Sequence, residues 1–276
     1  MKFINPDNKI FSSSEFQKDK YKFYLISLNL KSESVMLYSD EENYVICRGA
    51  VGLPTWIWTK DNFDISKLDE IKTVINLYLT DADKDKFTCK KELYDLLVNT
   101  GYDYLNSDDY FEMGTLFCRE TKQPKKCDGY ITTPILEEKA ILVKYWYDDS
   151  QEMNGVSPIS MEQAEVDVQK MLDSNKFYIW KNRENKIVCM ANYSEVDGQV
   201  KLSHVYTPID ERGKGYAANL IYRMTNDLLQ QGLVPLFYTD YNYIPSNKAY
   251  INDGYEETGI LINFSCSKQK GKNINR

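Results

Sequence analysis

The sequence predicts a mixed α+β (α/β) fold, on three observations. Runs rich in aromatic and β-branched residues alternate with helical patterns along the chain. The strand-like stretch 200–207 runs directly into a cationic, glycine-bearing turn that opens a long amphipathic helix. The order of strand, helix and shorter helix then recurs in both halves of the chain.

In the first half, residues 22–28, 35–38, 44–48 and 55–58 read as strands. Ile65, Leu68, Ile71, Ile75 and Leu79 then recur at three- and four-residue spacing, one face of a helix. Residues 90–100 read as a second helix, ended by Gly101, and residues 110–118 as a last strand. Residues 120–129 are polar, hold Pro124 and Gly129 and break both periodicities. They mark the expected boundary between a domain over 1–127 and another over 128–267, with a basic, disordered tail over 268–276.

In the second half, residues 137–147 read as a helix and 148–158 as the loop after it. Ser160 and Gln163 form a capping-box pattern, and the helix it opens carries Met161, Ala164, Val168, Met171 and Leu172 on one face. Residues 177–180 and 187–193 read as a hairpin about the polar turn 181–186. Strict alternation along 200–207 places Val200, Leu202, His204 and Tyr206 on one face and Lys201, Ser203, Val205 and Thr207 on the other. Ala217, Leu220, Ile221, Met224 and Leu228 make a core stripe on the long helix, which Gly232 ends. Residues 234–239 read as the next strand, with Pro235 near its start.

Composition narrows the function. The chain has 276 residues, a comfortable length for two domains, with 42% hydrophobic and 27% charged residues. No apolar run is long enough to span a bilayer, and the first residues lack the apolar segment of a secretory signal. A cytoplasmic protein with no membrane partner is the expectation. The net charge of −7 argues against nucleic acid as a partner. One histidine excludes a His-rich metal centre, and six scattered cysteines without a C-x-x-C spell neither a metal site nor a disulfide framework. No metal is expected.

The chemistry concentrates between Val205 and Ala217. The first N–H groups of a helix have no intrahelical partner and sit at the positive end of its dipole, so anions settle there. Gly213 and Gly215 let the backbone approach a ligand, and Arg212 and Lys214 add charge. The spacing is neither a P-loop nor a G-x-G-x-x-G turn. It reads Arg-x-x-Gly-x-Ala, from Arg212 to Ala217. A second element, Ser246-Asn247-x-x-Tyr250-x-x-x-Gly254-Tyr255, follows downstream.

Together these two elements resemble the pyrophosphate-binding motif and the closing Ser-Asn-x-x-Tyr-x-x-x-Gly-Phe element of the GNAT superfamily of acetyltransferases, with Tyr255 for Phe. The resemblance covers residues 130–266. It implies a mixed, mostly antiparallel central sheet flanked by helices, and acetyl-CoA as co-substrate. The implied CoA-binding residues are Val205, Tyr206, Thr207, Arg212, Gly213, Lys214, Gly215, Tyr216, Ala217, Asn247 and Tyr250. The pantetheine arm would lie between two parallel strands that splay apart. The first half repeats the order, with 42 residues from Thr59 to Gly101 against 47 from Thr207 to Gly254. It is therefore read as a degenerate GNAT-like unit. Its turn, 59–64, has no glycine and places Asp61 and Asp64 where an anion would sit, so no CoA is expected there.

Acyl transfer from a thioester to an amine needs proximity, a base for the amine and an acid for the thiolate. Tyr250 matches the motif tyrosine and is the candidate acid. His204, of a residue type that titrates near neutrality, and Asp240, after the second parallel strand, are the candidate bases. Glu211 reads as a solvated loop carboxylate. The resemblance thus implies an acetyl-CoA-dependent N-acetyltransferase acting by direct transfer on a primary amine of a small molecule, such as an amino acid, polyamine or aminoglycoside-like compound. Alternatives are a protein or peptide N-acetyltransferase, a non-catalytic CoA-binding sensor or interaction protein, and a tandem transferase that uses both halves.

Overall fold

A computed structural model describes residues 2–80, 84–153 and 158–268. The expected tail, apart from Lys268, and positions 154–157 of the expected loop lie outside the described residues. In the first half, strands β1 (Lys2–Phe3), β2 (Met36–Ser39), β3 (Tyr44–Arg48), β4 (Thr55–Thr59), β5 (Asp85–Lys90) and β6 (Leu105–Cys118) alternate with helices α1 (Ser14–Lys18), α2 (Tyr24–Asn29), α3 (Leu68–Tyr78) and α4 (Lys91–Asn99). In the second half, β7 (Tyr130–Thr132), β8 (Phe177–Lys181), β9 (Ile187–Val196), β10 (Gln199–Tyr206), β11 (Val234–Asp240) and β12 (Tyr255–Cys266) alternate with α5 (Lys139–Glu152), α6 (Met161–Ser174), α7 (Tyr216–Gln230) and α8 (Ile244–Asn252).

The chain forms two compact units. One takes the chain up to Met113 and resumes at Gly259; the other is Gly114–Thr258. In the first, β1 to β4 pair antiparallel in sequence order, and β4 pairs β5 in parallel across the α3 crossover. In the second, β7 to β10 do the same, and β10 pairs β11 in parallel across α7. The two halves are therefore repeats of one mixed, mostly antiparallel plan with a single parallel crossover each. The sixth strand of each repeat departs from sequence order. β12 pairs with β5, from Leu261↔Lys90 to Cys266↔Asp85, while β6 is the neighbour of β11. That exchange puts the division at 113/114 and 258/259, rather than at one boundary near residue 127.

The first unit packs Ile71, Val74, Ile75, Leu93 and Leu97 of α3 and α4 against Ile46, Ile57, Phe87 and Phe264. The second has a core on each face of its sheet. On one face Leu220, Ile221, Met224 and Leu228 of α7 meet Val188, Val200, Leu202 and Phe237. On the other, Leu142 and Trp146 of α5 and Ala164, Val168 and Met171 of α6 meet Phe177, Ile179, Met190 and Tyr206. Each such fully buried aliphatic side chain contributes roughly 1.5–3 kcal/mol.

The expected hairpin, long helix and Ser160 cap are present, the Ser160 hydroxyl accepting from the Gln163 N–H at 3.2 Å. Four expectations need correction. Residues 22–28 are not a strand but hold α2 over most of their length. Phe23, Tyr24, Ile26 and Ser27 are the buried positions, a helical spacing that outweighs β-favouring composition. Met161 is exposed and lies off the α6 core stripe. β5, short and half polar, is absent from the sequence reading although it is the parallel partner of β4. Helix α5 continues to Glu152, through part of the expected loop, because no glycine or proline stops it before then.

Candidate functional site

The site is built around the end of one parallel ladder. β10 and β11 pair only at Gln199↔Val234, Val200↔Pro235 and Lys201↔Leu236, yet the strands continue to Tyr206 and Asp240. Beyond Lys201 the edges that face each other carry no ladder. The same stretch of β10 holds a bulge: Ser203 pairs Asn192 on β9, and the next pair is Tyr206↔Met190. His204 sits in this bulge at φ 53°, a left-handed conformation that costs a non-glycine residue about 1–2 kcal/mol. The bulge breaks the expected alternation. Val200 and Leu202 pack on the α7 face and Val205 joins them, whereas His204 and Tyr206 meet α5. Just past the strand, the Thr207 hydroxyl oxygen is buried with no hydrogen-bond partner among the described residues.

The chain then makes a 3-10 turn, Ile209–Glu211, and enters α7 through the glycines. Gly213 has φ 76° and Gly215 φ 86°, the latter as N-cap of α7, and no side chain caps this helix. The first α7 bond formed is Asn219 N–H to the Gly215 carbonyl at 3.1 Å. The N–H groups of Gly213, Lys214, Gly215, Tyr216 and Ala217 thus precede the helix ladder and remain available for an anion. The Tyr216 ring is buried, and its hydroxyl donates to Asp128 Oδ1 at 3.0 Å. Asn219 Nδ2 donates to the Lys125 carbonyl at 2.9 Å, tying the stretch between β6 and β7 to the same turn.

The cations of the turn are held by nearby groups. Arg212 donates from Nε to the Thr207 carbonyl at 2.9 Å and from Nη2 to Glu152 Oε2 at 2.6 Å. Lys214 reaches Glu211 Oε2 at 2.7 Å, and Lys186 reaches Glu211 Oε1 at 2.6 Å. Glu211 is buried, not a solvated loop residue as its sequence position implied. The hydrogen bond from Lys186, and then that from Lys214, hold its carboxyl below the usual carboxylate range. It anchors Lys214 beside the turn.

His204 Nδ1 lies 2.8 Å from Asp149 Oδ2, and its ring lies against Trp146 at 3.9 Å between centroids. Trp146 and Asp149 are one helical turn apart, so one face of α5 both packs and orients the imidazole. Asp149 and Trp146 are both buried. The sequence reading missed both. The i, i+3 aromatic–carboxylate pair was the available signal, and ending the helix at 147 hid it.

Tyr250 stands on α8, its ring stacked on Phe237 of β11 at 4.1 Å and 15°. Burial raises its phenol well above the ordinary range, with lesser contributions from Cys189 and Asp149, so its hydroxyl keeps its proton. Asn247 is engaged at the end of β11: it accepts from Thr239 Oγ1 at 2.8 Å and donates to the carbonyls of Asp240 at 3.0 Å and Tyr241 at 2.8 Å. Asp240 Oδ1 accepts from the Asn242 N–H at 2.9 Å within its own turn. Gly254, at φ 101°, closes the α8 turn where a Cβ would come within 2.3 Å of the Glu120 carbonyl oxygen.

The first unit is built differently at the equivalent place. The β4–β5 ladder runs from Thr55↔Phe87 to Ile57↔Cys89, and side chains of the unit itself lie beyond it. Asp19 accepts from Trp58 Nε1 at 3.0 Å and pairs with Lys90 at 2.5 Å, and Lys90 also meets Asp61 at 2.8 Å. Asp64 caps the following turn by accepting from the Ser66 N–H at 2.9 Å. Carboxylates occupy the region where the second unit offers free N–H groups.

Among the described residues, no group of three or more His, Cys, Asp or Glu is arranged to hold a metal ion. No helix among them is long and apolar enough to cross a membrane. All six cysteines are free thiols.

No protein-family model matches this sequence, and no curated protein matches it. Solved structures do. A GNAT-family acetyltransferase from Colwellia psychrerythraea aligns with a TM-score of 0.61 at 12% identity, over 96% of this chain and 99% of that one. A GCN5-related N-acetyltransferase from Kribbella flavida aligns at 0.60 and 13% identity, over 95% and 98%. A Drosophila protein aligns at 0.62 and 8% identity, over 98% and 99%. Over nearly its whole length, this chain has the fold of GNAT-family acetyltransferases.

Proposed function

We propose that the second unit is an acetyl-CoA-dependent N-acetyltransferase that acts by direct transfer on a primary amine of a small molecule. The observation that carries this reading is the parallel ladder that stops at Lys201↔Leu236 beside an uncapped, glycine-led helix. An extended amide-bearing arm needs free strand edges, and a pyrophosphate needs converging N–H groups. The unladdered edges of β10 and β11, notably at Val205, supply the first. The turn from Arg212 to Ala217 supplies the second. Arg212 would exchange Glu152 for a phosphate oxygen.

Acetyl-CoA, when bound, supplies the thioester. His204, its ring held by Asp149, takes a proton from the acceptor nitrogen, whose lone pair forms the C–N bond as the C–S bond breaks. Tyr250, kept protonated by burial, returns a proton to the departing sulfur. Asp240 and Asn247 act as supports, since both serve the turn that joins β11 to α8. The first unit binds no CoA in this reading, because its own ion pairs lie beyond the β4–β5 ladder.

Calorimetric titration with acetyl-CoA tests the reading. One equivalent should bind to the wild type and none to Arg212→Glu. Two equivalents would restore the tandem reading, and no binding by folded wild type would overturn the proposal.

A further inference from the structure

The face of β10 that meets α6 holds a cation the mechanism above does not use. Lys201 is the last β10 residue of the ladder with β11. Its Nζ donates to Ser203 Oγ and lies 5.7 Å from the centroid of the Tyr238 ring. Among the described residues no carboxylate lies within ion-pair distance of it. Ser203 is paired with Asn192, whose side-chain Nδ2 contacts Met171 of α6 at 3.2 Å, which fixes the face. Lys201 is partly buried on that face. Desolvation with no opposing charge lowers its pKa to about 8.

An ammonium in such a place is costly unless an anion meets it. Surface lysines escape the cost by extending into water; this one instead turns along its own strand toward Ser203, the residue before His204. A directional charge pattern results. Along β10 Lys201 precedes His204 by three residues, its ammonium turns toward the intervening Ser203, and the carboxylate of Asp149 holds the imidazole. A zwitterion matches this order, with its carboxylate on the ammonium and its amine at the imidazole. A polyamine or an aminoglycoside-like compound does not, because each would set a second cation against Lys201.

We propose that the acceptor is an amino carboxylate, an amino acid or short ω-amino acid, whose carboxylate is held by Lys201 while His204 deprotonates its amine. This rests on the transferase reading and narrows its substrate class.

The test compares acetyl transfer to the common amino acids with transfer to their carboxamides and to the matching amines that lack the carboxylate, at saturating acetyl-CoA. Wild type should favour at least one amino acid over its amide by roughly 10–100-fold in kcat/KM, the range for a charged hydrogen bond. Lys201→Met should lower that ratio toward one, mainly by raising KM for the amino acid, and Lys201→Arg should recover part of it. Amides or plain amines used equally well by wild type would overturn the proposal without need of any variant. So would acetyl-CoA binding by calorimetry with no amino acid acetylated, which would leave the cofactor reading standing. Failure to bind acetyl-CoA at all would remove both.

Discussion

His204 Nδ1 and Asp149 Oδ2 lie 2.8 Å apart although 55 residues separate them in sequence. The contact joins a strained bulge in β10 to the buried face of α5. A histidine in a left-handed conformation is kept only where its surroundings hold it, and here Asp149 and Trp146 do so.

If His204 is the base of the proposed transfer, Asp149 positions it. Asp149→Asn should lower kcat/KM for the amine by roughly 10²–10⁴-fold, the usual range for a lost acid–base contribution. Acetyl-CoA affinity from calorimetry should stay within about twofold of wild type, and Asp149→Glu should recover part of the rate. Equal loss of rate and of CoA affinity would assign Asp149 a structural role instead.

Tyr250→Phe removes the hydroxyl and keeps the stacking on Phe237. If Tyr250 protonates the thiolate, kcat should fall about 10²-fold with little change in CoA affinity. The defect should be smaller with an acyl thioester of more acidic thiol, which needs less help to leave. A sensor without turnover would show no rate to lose.

Asp253, at the end of α8, is 2% exposed and has an Oδ2 with no hydrogen-bond partner among the described residues. Burial raises its carboxyl from the ordinary 3.8 to about 7. Because the native state then binds the proton more tightly than the unfolded chain, this contribution to stability is full below about pH 4. It is lost as pH rises through 7. Asp253→Asn should flatten that decline and make the protein more stable at pH 8 by roughly 1–3 kcal/mol. Urea unfolding at pH 5 and pH 8 measures it, and a variant with the wild-type pH dependence would refute the assignment.

Features carried by neighbouring residues were legible in the sequence. Gly213 and Gly215 before an amphipathic stripe placed the turn and α7, and Ser160 placed the start of α6. The repeat was legible from the recurrence of strand, helix and short helix. Composition failed at residues 22–28, where β-favouring side chains form α2 because their burial follows a helical spacing. Asp149 is not legible in the sequence because the last turns of α5 are polar and resemble a loop, whereas the packing of Asp149 and Ser150 against the sheet keeps them helical.

The sequence by itself determined the mixed fold, the glycine-led turn between Arg212 and Ala217 that opens α7, and the Asn247–Tyr250 element, because each depends on contacts a few residues apart. Tertiary structure alone decided where the β10–β11 ladder stops, which face His204 takes, that Asp149 meets it, and that β12 rather than β6 pairs with β5. Strand register and bulges are settled between segments distant in sequence, and a one-residue slip moves a side chain to the opposite face. No local pattern around His204 records that slip.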